Sequence, residues 1–214
     1  MQQAQEWRII PAEQRPTRQS AACRRPIEMR KTVCCLAVLA AFCATTAHAA
    51  TWQLEPGPDN RLEFTATFEK TPVTGVFKDF SIRFDFDPQQ AAGSHLNVRI
   101  RVSSADMNSK DINQAIAGKD WFDFAGYPEA VFDTREILGK AGTDRHLARG
   151  TLLLKGVRQP LALPFSWKPE ERLLEGEFLT RRTLFGIGTG QWQSSDAVGD
   201  EVKVKIRARL RELP

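Results

Sequence analysis

Cysteine is missing from Ala50 to Pro214: the four in the chain, Cys23, Cys34, Cys35 and Cys43, all lie earlier. Disulfides, thiolate metal sites and thiol nucleophiles are therefore excluded from those 165 residues. Histidine is scarce too, and beyond Ala49 only His95 and His146 remain. Both stand beside turn-like stretches, without His-x-x-x-His spacing or a neighbouring carboxylate set, so both are expected to be solvated turn histidines rather than zinc ligands. No Gly-x-Ser-x-Gly elbow occurs. Gly186-Ile187-Gly188-Thr189-Gly190 lacks the Lys-Ser/Thr that a phosphate-binding loop requires. The chain is not expected to be an enzyme or to carry a cofactor or metal.

An excess of one charge is also lacking where it would matter. The whole chain has 30 Lys+Arg against 26 Asp+Glu, a formal charge of +4. Residues 1–49 hold seven basic residues (Arg8, Arg15, Arg18, Arg24, Arg25, Arg30, Lys31) and three acidic ones (Glu6, Glu13, Glu28), leaving 23 of each sign in residues 50–214. That larger part is neutral, which removes the electrostatic basis for nucleic-acid binding. Long hydrophobic runs are absent as well. The most apolar stretch, Thr32–Ala44, is shorter than the roughly 20 residues of a membrane-spanning helix. Preceded by Met29-Arg30-Lys31 and followed by Ala47-His48-Ala49, it has the three parts of a secretory signal. Residues 29–49 are expected to act as a signal peptide cleaved near Ala49, placing the product in the periplasm or outside the cell. Residues 1–28, rich in Arg, Gln and Pro ahead of Met29, are expected to be a non-native or disordered extension.

What the remaining residues do have is alternation. Leu62, Phe64, Ala66 and Phe68 share one face of a period-two pattern, as do Phe80, Ile82, Phe84 and Phe86. So do Leu96, Val98, Ile100 and Val102; Leu161, Leu163, Phe165 and Trp167; and Val202, Val204, Ile206, Ala208 and Leu210. Weaker strand signals cover 51–54, 130–138, 146–155 and 173–180. Turns are expected at 56–60, 88–93, 139–144 and 168–171, and a short helix at 111–118. About eight or nine strands, each dry on one face, must close into a barrel or stack as a sandwich. No linker or repeat divides residues 50–214, which are expected to form one domain.

Several segments together resemble the YceI-like family of periplasmic lipid-binding proteins. They are Val73-Thr74-Gly75-Val76-Phe77 with Phe86-Asp87-Pro88, Trp121-Phe122-Asp123 with Tyr127-Pro128 and Phe132, Gly150–Leu161 with its Lys155-Gly156-Val157 turn, and Arg182-Thr183-Leu184-Phe185-Gly186-Ile187-Gly188. The resemblance covers about 51–210 and implies an all-β, lipocalin-like antiparallel barrel of about eight strands with a short helix, enclosing an apolar pocket. It further implies binding of a long-chain isoprenoid or quinone-like lipid, with a membrane cytochrome as a partner. A homodimer is also compatible with the sequence. Where the family has an acidic-basic cluster with a histidine, this chain has Asn108-Ser109-Lys110-Asp111-Ile112-Asn113.

The residues expected to face such a ligand are Phe64, Phe68, Phe77, Phe84, Ile100, Val102, Trp121, Phe122, Phe132, Phe165, Phe178, Phe185 and Trp192, with Arg182 as a polar contact. Apolar pockets are typically lined with rings and a few oriented polar groups. The alternative is a barrel filled by these rings, whose outer face docks a membrane redox partner. The stripe Lys203, Lys205, Arg207, Arg209 and Arg211 is expected on the solvated outside, paired with acidic neighbours.

Overall fold

The computed structural model describes residues 50–87, 91–139 and 142–214. The segments expected to be a signal peptide (29–49) and an extension before it (1–28) lie outside the described residues. Eleven described strands are present: β1 (Ala50–Leu54), β2 (Arg61–Phe68), β3 (Thr71–Phe77), β4 (Phe80–Phe86), β5 (His95–Arg101), β6 (Ala105–Asp106), β7 (Glu129–Gly139), β8 (Arg145–Leu154), β9 (Val157–Lys168), β10 (Leu173–Arg181) and β11 (Glu201–Glu212). One short helix, α1 (Lys110–Ile116), lies between β6 and β7.

Eight strands close a ring in the order β1-β4-β5-β7-β8-β9-β10-β11, with β11 returning to β1, all antiparallel. The strong alternations of the sequence correspond to β2, β4, β5, β9 and β11. Strand β3 was not visible as alternation, because Pro72 and Gly75 interrupt its pattern. β5 stops at Arg101, where Val102–Ser104 turns into a 3-10 segment and takes Val102 into the core.

The long β11 holds two partners on one side. Its first half pairs with β2, Lys203–Arg207 opposite Arg61–Thr65, and its last residues pair with β1, Leu210–Glu212 opposite Trp52–Leu54. The Pro-Gly-Pro turn between them is fixed by Asn60, whose side chain donates to Glu55 O (2.5 Å) and accepts from Arg209 N (2.8 Å). The barrel therefore has one end walled by β1 and another by β2 and β3.

At the β1 end the interior is solid. Trp52 meets Trp167 edge-on at 5.0 Å between centroids, while Phe84 packs on Phe86 (4.9 Å), Trp167 (5.4 Å) and Phe165 (5.9 Å). Leu96, Ile137, Leu174 and Leu210 are fully buried among them. Each such side chain contributes about 1.5–3 kcal/mol on leaving water. Polar Thr134 is buried beside the bulge of β7, where its Oγ1 accepts the Leu96 N–H at 2.8 Å and so satisfies a donor near the disturbed ladder.

The outer wall is polar, as the alternation requires. Lys203 (3.4 Å) and Lys205 (3.3 Å) reach Glu177, Arg207 reaches Glu175, and Arg209 reaches Asp59 at 3.5 Å. Such exposed pairs contribute little individually, but they place the basic stripe on the outside.

Candidate ligand-binding cavity

The other half of the barrel is hollow. A cavity of about 520 Å³ lies between β2, β3, β5, β7, β8, β9, β10, β11 and α1, within the size range of small-molecule pockets. Its wall includes Phe64, Phe77, Phe122, Phe132, Phe178 and Phe185, with Ile100, Leu152, Leu161, Val202 and Val204 between them. Among the described residues, polar side chains in the wall are limited to Thr67, Thr180, Asp111 and Arg182, apart from the indole N–H groups of Trp121 and Trp192. The exposed wall residues Thr67, Phe68, Asp111, Ile112 and Ala115 mark the mouth, between the end of β2 and α1.

Local chemistry sets each part of that mouth. Helix α1 begins at Ser109, whose Oγ caps the Ile112 N–H, and ends before Gly118. Asn113 anchors it: its Oδ1 accepts the Met107 N–H (2.7 Å) and its Nδ2 donates to Asp106 Oδ1 (2.8 Å). Hydrogen bonding from Lys78 first, then from Asn113 and the Asn108 N–H, holds the Asp106 carboxyl well below the usual carboxylate range. Across the mouth, β2 turns into β3 through Glu69-Lys70, with φ values of 48° and 66°. The backbones come close here, since a Cβ on Gly75 would run into Met107 Sδ and the Phe64 ring.

Between β9 and β10 the wall is not zipped. These strands pair only over Phe165–Lys168 and Leu173–Gly176. Pro160 and Pro164 lack N–H groups, yet β9 is paired along its length to β8, so their nitrogens must face β10. The 3-10 turn Arg182–Phe185 fills the opening. Gln159 Nε2 donates to Leu184 O (3.2 Å), and Lys155 Nζ donates to Gly186 O (2.6 Å) and Lys119 O (2.8 Å). Desolvation pulls the Lys155 pKa below the ordinary lysine value, with Asp123 and Asp120 opposing it.

Arg182 organises that closure. It is 3% exposed. Its Nε donates to Gly199 O (3.1 Å), Nη1 to Ile187 O (2.9 Å) and Gly188 O (3.0 Å), and Nη2 to Trp192 O (2.8 Å), Val198 O (2.9 Å) and Ser194 O (3.2 Å). Six carbonyls thus engage all five N–H groups of the guanidinium. The side chain sequence reasoning offered as a polar ligand contact is enclosed by backbone.

The structure gathers most of the sequence-derived lining residues around this one cavity: Phe64, Phe68, Phe77, Ile100, Trp121, Phe122, Phe132, Phe178, Arg182, Phe185 and Trp192. It separates three from it. Phe84 and Phe165 belong to the packed end, and Val102 is buried in the 3-10 turn after β5. Alternation shows which face is inward but not how far along the barrel the hollow extends. The wall also contains Met107, Ile112, Ala115 and Ile187, which lie in loops, turns and α1, where period two carries no signal.

The two histidines differ. His95 pairs with Asp133 at 3.1 Å on the surface. His146, expected in solvent, instead points inward against Phe86 and Phe165, at 5.1 and 5.3 Å between ring centroids, and its Nδ1 is buried without a partner. Desolvation lowers its pKa, with Asp144 opposing. A second, more open depression of about 600 Å³ on the outer wall is lined largely by charged residues, several of them already paired, including Glu63, Glu175, Glu177, Lys205 and Arg207.

Comparison with known proteins places this architecture. A family model described as a YceI-like domain matches residues 52–210. The structure of BcnA from Burkholderia cenocepacia aligns with a TM-score of 0.65 at 32% identity, covering 71% of this chain and 94% of that one. A polyisoprenoid binding domain from Saccharophagus degradans, implicated in plant cell wall breakdown, aligns with a TM-score of 0.58 at 17% identity, over 78% of this chain and all of that one, and shares the fold. A UPF0312 protein of Photorhabdus laumondii is 37% identical over 89 residues, 42% of this chain. The matched region spans 45% of that relative, so the alignment covers about half of its length.

Proposed function

The chain belongs to the YceI-like family, and from that premise we propose that it is a non-enzymatic carrier holding the apolar chain of a long lipid, an isoprenoid or isoprenoid quinone, in the hollow half of the barrel. The observation that carries this reading is the cavity of about 520 Å³, walled almost entirely by apolar side chains and open at one rim. Transfer of a hydrocarbon chain into it is driven by about 25 cal/mol per Å² of apolar surface removed from water. Affinity then grows with the buried length of chain. The polyisoprenoid binding named for the Saccharophagus domain of the same fold supports the same ligand class. The signal-like residues 29–49 support export, with the carrier acting in the periplasm.

Organic extraction of the purified protein followed by mass spectrometry tests the proposal. A stoichiometric isoprenoid, or uptake of added isoprenoid by stripped protein with a change in fluorescence of Trp121 and Trp192, is expected. No bound lipid together with no uptake overturns the carrier reading and favours an interaction protein.

A further inference from the structure

Among the described residues, the cavity wall contains two ionisable side chains, and neither can serve an anion. Arg182 is the cation among them. Its five N–H groups are directed at the carbonyls of Ile187, Gly188, Trp192, Ser194, Val198 and Gly199, and the Gly188 backbone lies so close to Nη1 that a Cβ there would collide with it. The charge is met by six carbonyl dipoles and by nearby Asp200, which raises the guanidinium pKa against the effect of burial. A phosphate or carboxylate inside the cavity would find no free donor on this group. The other ionisable residue, Asp111, sits at the mouth and is a carboxylate. Its chain neighbour Lys110 carries the opposite charge, and Glu69 and Lys70, which follow the wall residue Phe68, are one of each sign. Thr67 and Thr180 offer hydroxyls suited to an uncharged oxygen.

We propose that the cavity selects its cargo by the charge of the polar head: it accepts an isoprenoid ending in an alcohol or a quinone and rejects the same chain ending in a phosphate or carboxylate. An ionised group taken into such a wall loses its water without gaining a free counter-ion, which is strongly unfavourable. The hydroxyls of Thr67 and Thr180 and the indole N–H groups of Trp121 and Trp192 are neutral donors that do not replace one. The inference rests on the carrier reading and narrows it to neutral lipids.

The test compares farnesol with farnesyl phosphate, two ligands with one tail, in equilibrium titrations of lipid-stripped protein at low ionic strength, followed by tryptophan fluorescence. Farnesol is expected to bind at least tenfold more tightly, and Asp111→Asn is expected to narrow that ratio two- to threefold by removing a repulsive charge from the mouth. Farnesyl phosphate binding as tightly as farnesol, or more tightly, overturns the charge selection while leaving the carrier reading intact. Binding of neither ligand overturns the carrier reading, and the selection with it.

Discussion

Arg182 shows how much a single side chain's role depends on its surroundings. Its position before Phe185-Gly186-Ile187-Gly188 marked it in the sequence as a polar contact, and the structure puts it at the cavity wall with its donors turned into backbone. The carbonyls that surround it come from residues five to seventeen positions away, a convergence no linear pattern displays. Arg182→Lys leaves several of those carbonyls without a donor, each worth about 1–3 kcal/mol when buried. A loss of about 3 kcal/mol in urea unfolding is expected. His146 is the second such residue. Its folded pKa lies below the ordinary 6.5, so on acidification the unfolded chain takes the proton first. The stability contributed by the neutral ring is complete above the unfolded pKa and is lost as pH falls below about 6.5. His146→Phe keeps the ring packing on Phe86 and Phe165 and is expected to flatten the pH dependence of the urea midpoint between neutral pH and the range where carboxylates begin to titrate. An unchanged slope would show that another group is responsible.

Among the elements, the turns are the most instructive. The β8–β9 hairpin turns through Lys155-Gly156 with φ of 48° and 75°, the glycine standing at the second left-handed position. The β2–β3 hairpin makes the same two-residue turn with Glu69-Lys70, two residues that carry Cβ atoms. Such positions are strained by about 1 kcal/mol or more each. Replacing the pair with Asn-Gly is expected to raise the unfolding free energy by about 1 kcal/mol, read from denaturant titration, with the strand register unchanged. The β7–β8 pairing contains the opposite situation. A Cβ at Gly150 would meet the Asp133 carbonyl, in the stretch where the β7 register shifts. Gly150→Ala is expected to lower stability by about 2 kcal/mol, because backbone cannot yield as a flexible side chain does. Strand β9 was legible as alternation over 161–167, but its two prolines acquire meaning only beside β10, where they keep the wall open for the Arg182–Phe185 turn.

For the whole molecule, packed and hollow halves divide the work. The rings around Phe84 and Trp167 supply a packed floor, and the hollow half holds apolar wall that a lipid, on the carrier reading, would cover. Ligand binding should therefore raise thermal stability, and at a free concentration 100 times the dissociation constant the gain is about 2.7 kcal/mol. Differential scanning calorimetry with farnesol checks this, the melting temperature rising with ligand concentration. The strand alternation, the short helix, the outward basic stripe and most of the inward rings could be read from the sequence, because a half-buried strand writes its two faces into every second residue. The family could be read as well, from the order and spacing of several short segments taken together. The sequence could not separate Phe84 and Phe165 in the floor from Phe64 and Phe178 in the wall, since all four obey the same period. Nor could it show whether Arg182 was free to bind an anion or enclosed by carbonyls. Both depend on distances between segments remote in the chain, fixed only when the barrel closes and β11 takes β1 at one end and β2 at the other.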